Sequence, residues 1–286
     1  MPGWLRLYAA VSDFVLPGFR ALALLLVLSL FTAAWASDKK GVGLAELQAA
    51  NRIAALNLAW YYTWKPYPIV GAPKEMFVPM LRSRGGRVLD RHIAYFRSKG
   101  KVPVLLALNE PNVAKGDNMS VEQVIQRWPE ISELAEEIGS PAPSGALGPW
   151  FDEFFHLVGK QGLKLDFMAL HLYSPPDAEA FLRKIDAVYE KYQLPIWITE
   201  FAVADWEALK KPNGNRYSED EVLAFMQAVL PELEKRSYVV RYAWFGASNY
   251  ALEHEEVRTS RLFEKDGSLT PLGRYYADFT WPPEGY

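Results

Sequence analysis

Short apolar runs of strand length, spaced by amphipathic segments, constrain the fold of this chain more than any other feature. They are "IAALNLAWYY" (53–62), "EMFVPML" (75–81), "VPVLLAL" (102–108), "LDFMALHLY" (165–173), "LPIWITEF" (194–201) and "VVRYAWFG" (239–246). Runs this uniformly apolar suit strands buried on both faces. Between them, "DAEAFLRKIDAVYEKYQ" and "SEDEVLAFMQAVLPELEKR" carry apolar residues at helical three-and-four spacing. "SVEQVIQRWPEISELAEEIG" reads as another helix, opened by Ser120 as a cap and broken or kinked at Pro129. Apolar strands alternating with helices predict a parallel sheet covered on both sides. No Ser/Gly-rich linker or composition shift follows residue 40, so residues 37–286 are expected to form a single domain.

Two of the apolar runs share an oddity. "LPIWITEFA" carries Glu200 near its end, and "VPVLLALNEPN" ends on Glu110. A lone buried carboxylate is costly unless it is paired, hydrogen-bonded or used. Both glutamates follow strand-like segments directly. In a barrel of parallel strands both would emerge at the carboxyl-terminal rim, where the loops after strands build active sites. Two carboxylates facing each other across a rim are the equipment for hydrolysing a glycosidic bond. One is then held protonated to donate to the leaving oxygen, and the other stays ionised to attack the anomeric carbon.

Composition narrows the alternatives. The 286 residues carry a formal net charge of -3, which leaves no basic footprint for nucleic acid. There is no cysteine, which excludes disulfides, thiolate metal sites and cysteine nucleophiles. His92, His156, His171 and His254 are scattered without metal-ligand spacing, and no phosphate-cradling or dinucleotide glycine motif is present. No cofactor or metal is expected. The 10 tryptophans fill cores or, in a cleft, stack on the apolar faces of sugars.

Residues 1–36 read as a targeting segment. Arg6 and Arg20 precede the apolar run "ALALLLVLSLF" (21–31), and Ala34-Trp35-Ala36 offers a small-x-small cleavage site. The run is shorter than the ~20 residues that span a bilayer comfortably. A signal peptide is expected, with an uncleaved anchor as the alternative. Either exports the domain, to the outside or the periplasm. The roughly 250 residues that follow suit the size of a TIM barrel.

Asn109-Glu110-Pro111 after one strand and Glu200 ending a later one resemble the retaining glycosidases built on (β/α)8 barrels. An ordered set of segments narrows the resemblance: "YYTW" (61–64), "EMFVPML", "LNEPN" (108–112), "NMSVEQV" (118–124), "LDFMALHLY", "PIWITEFA", "VVRYAWF" and "DGSLTPLGRYY" (266–276). Together they are similar to glycoside hydrolase family 128, the glycosyl hydrolase catalytic core group of β-1,3-glucanases. The resemblance implies Glu110 as acid/base, Glu200 as nucleophile and Asn109 as the partner of the sugar 2-hydroxyl. It implies His171 and Tyr173 in the site, the tyrosine near the nucleophile, and Trp244 as a stacking floor. Thr63 stands where the family pattern has Asn. Tyr62 and Trp64 are expected in the cleft, and Trp206 as a platform or as loop packing. Counting back from "RYAWF" as strand eight makes the run of Glu200 strand seven, "MALHLY" six, "IGSPA" five and "LLALNEP" four, and puts strand three within 82–100.

The expected function is a monomeric, exported, retaining endo-β-1,3-glucanase with a β-glucan polysaccharide as its partner. The same chemistry on another β-glycan or an exopolysaccharide is the alternative. A non-catalytic carbohydrate-binding protein is the alternative of a different class.

Overall fold

The protein is described by a computed structural model, in which residues 37–210 and 214–281 are placed. The segment read as an export signal lies outside the described residues. Among those described, no helix is long and apolar enough to cross a membrane.

Eight strands run in chain order: β1 (Lys40–Gly43), β2 (Trp60–Tyr62), β3 (Met80–Leu81), β4 (Val102–Ala107), β5 (Ala135–Ile138), β6 (Met168–Ser174), β7 (Ile196–Val203) and β8 (Val239–Trp244). They pair in parallel in the orders β2-β1-β8-β7-β6 and β3-β4-β5. Parallel bridges Tyr61–Phe77 and Gly139–Phe167 join the two groups at both seams. The ring is a (β/α)8 barrel, as the length of the chain and the resemblance to barrel glycosidases imply; the parallel sheet within it is what the alternation of runs predicts.

Period-two alternation sorts the side chains into an inner and an outer layer. Trp60, Tyr62, Met80, Leu106, Phe167, Trp197 and Ala243 pack together inside the barrel. Tyr61, Leu170, Ile198, Phe201, Tyr242 and Trp244 belong to the larger core shared with the surrounding helices. That helical layer includes α1 (Ala50–Ala55), α2 (Leu89–Lys99), α3 (Val121–Ser132), α4 (Pro149–Gln161), α5 (Ala178–Tyr192), α6 (Glu219–Lys235), α7 (Tyr250–Glu253) and α8 (Pro271–Asp278).

The strand assignment differs from the sequence reading in four places. The first strand is the short "KGVG" of β1, too small and too rich in glycine to read as a strand. Its Lys40 is buried and donates to the carbonyls of Tyr276, Ala277 and Phe279, tying the first strand to the end of α8. The run 53–62 divides between α1 and β2. The third strand is the end of "EMFVPML", not a segment of 82–100, most of which forms α2. Finally, α3 has the Ser120–Gln123 capping box, passes through Pro129 and stops at Ser132, and "AEEI" becomes β5. The missing Pro129 N–H costs one intrahelical bond in the last turn, and the helix ends three residues later.

Candidate active site

Two local irregularities bring the glutamates together. β4 alternates regularly as far as Ala107, and then Leu108 and Glu110 take left-handed backbone at φ 56 and 48. Leu108 turns out to the helical layer with Ala107. Asn109 and Glu110 both line the cleft as a result. Bulky residues at positive φ are costly, so the surroundings must hold them there. Asp117 does much of this. Its carboxylate, fully buried, accepts from the Asn109 N–H at 2.7 Å, the Arg84 N–H at 2.9 Å and Arg82 Nε at 2.9 Å. Gly116 fits only because it has no side chain, since a Cβ there would lie 2.1 Å from the Glu110 carbonyl oxygen.

On β7 the register against β6 shifts at Leu170–His171, and against β8 between Ile198 and Phe201. Unbroken alternation from the inward Trp197 would turn Glu200 out into the helical layer. The irregularity re-aims it, the common use of a bulge beside an active site.

His171 lies between the two carboxylates and is 1 % exposed. Its Nδ1 is 3.2 Å from Glu110 Oε1 and its Nε2 is 3.3 Å from Glu200 Oε1. One oxygen of each glutamate and one imidazole nitrogen lie within 4.8 Å of one another. A cation could bridge such a trio, but Nδ1 already hydrogen-bonds Glu110, so that contact suits proton sharing better than metal ligation; Nε2 lies near Glu200 without a hydrogen bond. Burial pushes the His171 imidazole down, but the charges of Glu200 and Glu110 and the Glu110 hydrogen bond outweigh it, and the net shift is upward. Burial likewise pushes Glu110 up, and the His171 hydrogen bond and charge, helped by Arg82, hold it below its ordinary value. Both shifts favour a proton on His171 over one on Glu110 within the pair.

Glu200 is held by donors. Trp64 Nε1 donates to Oε1 at 2.7 Å, and the Tyr173 hydroxyl to Oε2 at 2.6 Å. The Tyr62 hydroxyl donates to the Thr199 carbonyl at 2.9 Å and lies 3.4 Å from Glu200 Oε1. Tyr62 thus supports Glu200 from inside the barrel, fully buried, and does not line the cleft. Trp64 does line it, at φ 54, its ring packed where a side chain on Gly43 would clash. Thr63 closes the turn beneath it by donating to the Tyr67 carbonyl at 2.8 Å.

Trp244 is a correction. It is fully buried, donates Nε1 to the Ser260 carbonyl at 2.7 Å and packs against Phe201 on the helical side. One step along a strand changes the face, so the cleft aromatic at this strand end is Phe245. Phe245 meets Tyr173 and Trp64 edge-on, with centroids 5.4 Å and 5.9 Å away. Trp206, half exposed, extends this wall beside Tyr173 at 5.5 Å, and Tyr250 continues it. Together with Lys65, Arg82 and Arg84, these groups line a cleft of about 540 Å³. Asn109 Oδ1 is buried there without a hydrogen-bond partner. Arg82, Asp117 and Phe245 were missed in the sequence. Only Phe245 had a signal, the period of two along "YAWF".

The family model described as "Glycosyl hydrolase catalytic core" matches residues 33–276. A family 128, subgroup I, endo-β-1,3-glucanase from Amycolatopsis mediterranei is 30% identical, with 84% of this chain and 98% of that chain covered and a TM-score of 0.70. A family 128, subgroup III, curdlan-specific exo-β-1,3-glucanase from Blastomyces gilchristii is 27% identical, covers 85% of this chain and 98% of its own, and has a TM-score of 0.62. Alkali-sensitive linkage protein 1 of Schizosaccharomyces pombe is 26% identical over 250 residues, 84% of this chain. The chain spans only 44% of that protein's length. With the model matching most of its length and the glutamate pair at the rim of its barrel, the chain belongs to the glycosyl hydrolase catalytic core family, family 128 of the glycoside hydrolases.

Proposed function

We propose that the protein is a retaining endo-β-1,3-glucanase, with Glu200 as nucleophile and Glu110 as acid/base. The observation that carries this reading is the approach of Glu110 and Glu200 to within 4.8 Å, oxygen to oxygen. Carboxyl groups ~5–5.5 Å apart leave no room for an inverting water between carboxylate and sugar, and favour direct attack. The substrate class is taken from the family 128 relatives described as β-1,3-glucanases. Endo action is taken from the family 128, subgroup I, relative described as an endo-β-1,3-glucanase.

In the proposed first step, Glu200 attacks the anomeric carbon while the leaving oxygen takes a proton from Glu110. Tyr173 and Trp64 hold the Glu200 oxygens in line. His171 supplies the proton that Glu110 lacks at rest, across the 3.2 Å contact. As the glycosyl ester forms, Glu200 loses its negative charge, which weakens its hold on the imidazolium and favours transfer toward Glu110. In the second step Glu110, ionised again, takes a proton from water, and that water releases the sugar. Asn109, with Oδ1 unpartnered, is left to receive a sugar hydroxyl.

Hydrolysis of linear β-1,3-glucan by the full chain, with Glu200→Ala beside it, tests this function. The wild type is expected to release mixed oligosaccharides from early times, and the variant none. Equal turnover by the variant would refute the assignment.

A further inference from the structure

Beside the cleft, and sharing Arg82 and Arg84 with it, lies a second hollow of about 560 Å³, lined by Arg82, Arg84, Arg87 and Lys115, with Gly85, Ala114, Gly116 and Asn118. No carboxylate lines it, although the chain as a whole carries a formal net charge of -3. Arg82 is 8% exposed and spends its Nε on Asp117, yet it borders both the hollow and the catalytic cleft, as Arg84 does. Arg84, Arg87 and Lys115 are exposed, and none has a carboxylate within ion-pairing distance among the described residues. Asp117 matches one of the four cations, which leaves three positive charges gathered around one concavity.

The backbone builds this arrangement at some cost. Arg84, Gly85 and Gly86 all take positive φ, at 49, 67 and 83. The Gly85 N–H donates to the Asp117 carbonyl at 2.8 Å, which ties this turn to the one that carries Glu110. Like charges held together without partners repel one another. Ligands of opposite charge relieve that repulsion and are drawn to a concave site that focuses the field.

We propose that this hollow receives an anionic substituent of the glycan, a carboxylate or phosphate group on a sugar beyond the scission point. The enzyme is then selective for acidic β-1,3-glucan over the neutral polymer. The proposal rests on the glucanase reading for its backbone chemistry. Arg84 and Arg87 offer the planar forks that pair with oxyanions, and Lys115 adds a point charge.

The test is kcat/KM of the full chain on neutral, carboxymethylated and phosphorylated β-1,3-glucan, at about 10 mM and about 300 mM salt. The acidic-to-neutral ratio is expected to reach about five- to tenfold at low salt, the effect of two partly sheltered charge pairs. It should fall toward one at high salt and in the double variant Arg87→Ala/Lys115→Ala. Preference for the carboxymethyl or for the phosphate polymer supports the site and identifies the oxyanion. A wild-type ratio at or below one on both acidic polymers overturns it, as does an undiminished ratio in the double variant. If no glucan is cleaved, the glucanase reading fails, and native gels cast with each polymer still read the site. Retardation of the acidic full chain by carboxymethylated β-1,3-glucan, lost in the double variant, supports an anion site. Equal migration in neutral and acidic gels overturns it.

Discussion

At the scale of single residues, position relative to the barrel wall decides what each aromatic does. Trp206 and Trp244 look alike in the sequence as tryptophans just past or at strand ends. Trp206 is half exposed beside Tyr173, whereas Trp244 is fully buried against Phe201. Trp206→Ala is expected to raise KM by about 2–10-fold with little change in melting temperature, the size of one lost ring contact. Trp244→Ala is expected to cost about 3–5 kcal/mol of stability. Thermal melts and steady-state kinetics on both variants check the contrast. His171 makes a second prediction. Its value is raised above 6.5, while Glu110 is held below 4.5. Above the raised His171 value the pair has lost the proton that Glu110 must donate, so kcat/KM should fall along an alkaline limb above pH 6.5. His171→Gln leaves Glu110 to titrate without its cationic neighbour. The limb should then move to lower pH, toward the value of a single carboxyl group. A limb that stays in place would assign the histidine a packing role only.

At the scale of elements, strand ends matter more than strand bodies. The apolar runs made β4, β6, β7 and β8 legible, because strands buried on both sides need little besides apolar residues. The exits from those strands were not legible. Nothing in "LLALNEP" announces positive φ at Leu108 and Glu110, and nothing in "IWITEF" announces the register shift that turns Glu200 inward. Both depend on partners far along the chain, such as Asp117 for the first. The pairing of Glu110 with Glu200 could be inferred from the two runs, but the imidazole between them required the fold, since His171 is 61 residues from Glu110. Gly116 tests the exit from β4. A Cβ at that position would lie 2.1 Å from the Glu110 carbonyl oxygen, so Gly116→Ala must displace the turn. The expected result is a loss of about 100-fold in kcat, the scale of a 1 Å misplacement, with the barrel still folded. Unchanged kcat would mean that the turn tolerates displacement and does not aim the acid/base.

At the scale of the whole molecule, the barrel serves as a rigid frame that brings distant glutamates together. β1 escaped the sequence reading because it is very short and half glycine, whereas β3, two residues at the end of "EMFVPML", lies in a run read as a strand but not counted as the third. The eight-strand closure was nonetheless what the resemblance to the barrel glycosidases implied, with "RYAWF" counted as strand eight. The central claim is that two rim carboxylates this close carry out a double displacement at one anomeric carbon, Glu200 as nucleophile and Glu110 as acid/base. The direct measurement is proton NMR of β-1,3-glucan oligosaccharide during its first minutes of hydrolysis, before mutarotation mixes the anomers. The account predicts that the β-anomer of the new reducing end appears first. First appearance of the α-anomer would mean single displacement by water, and would contradict it.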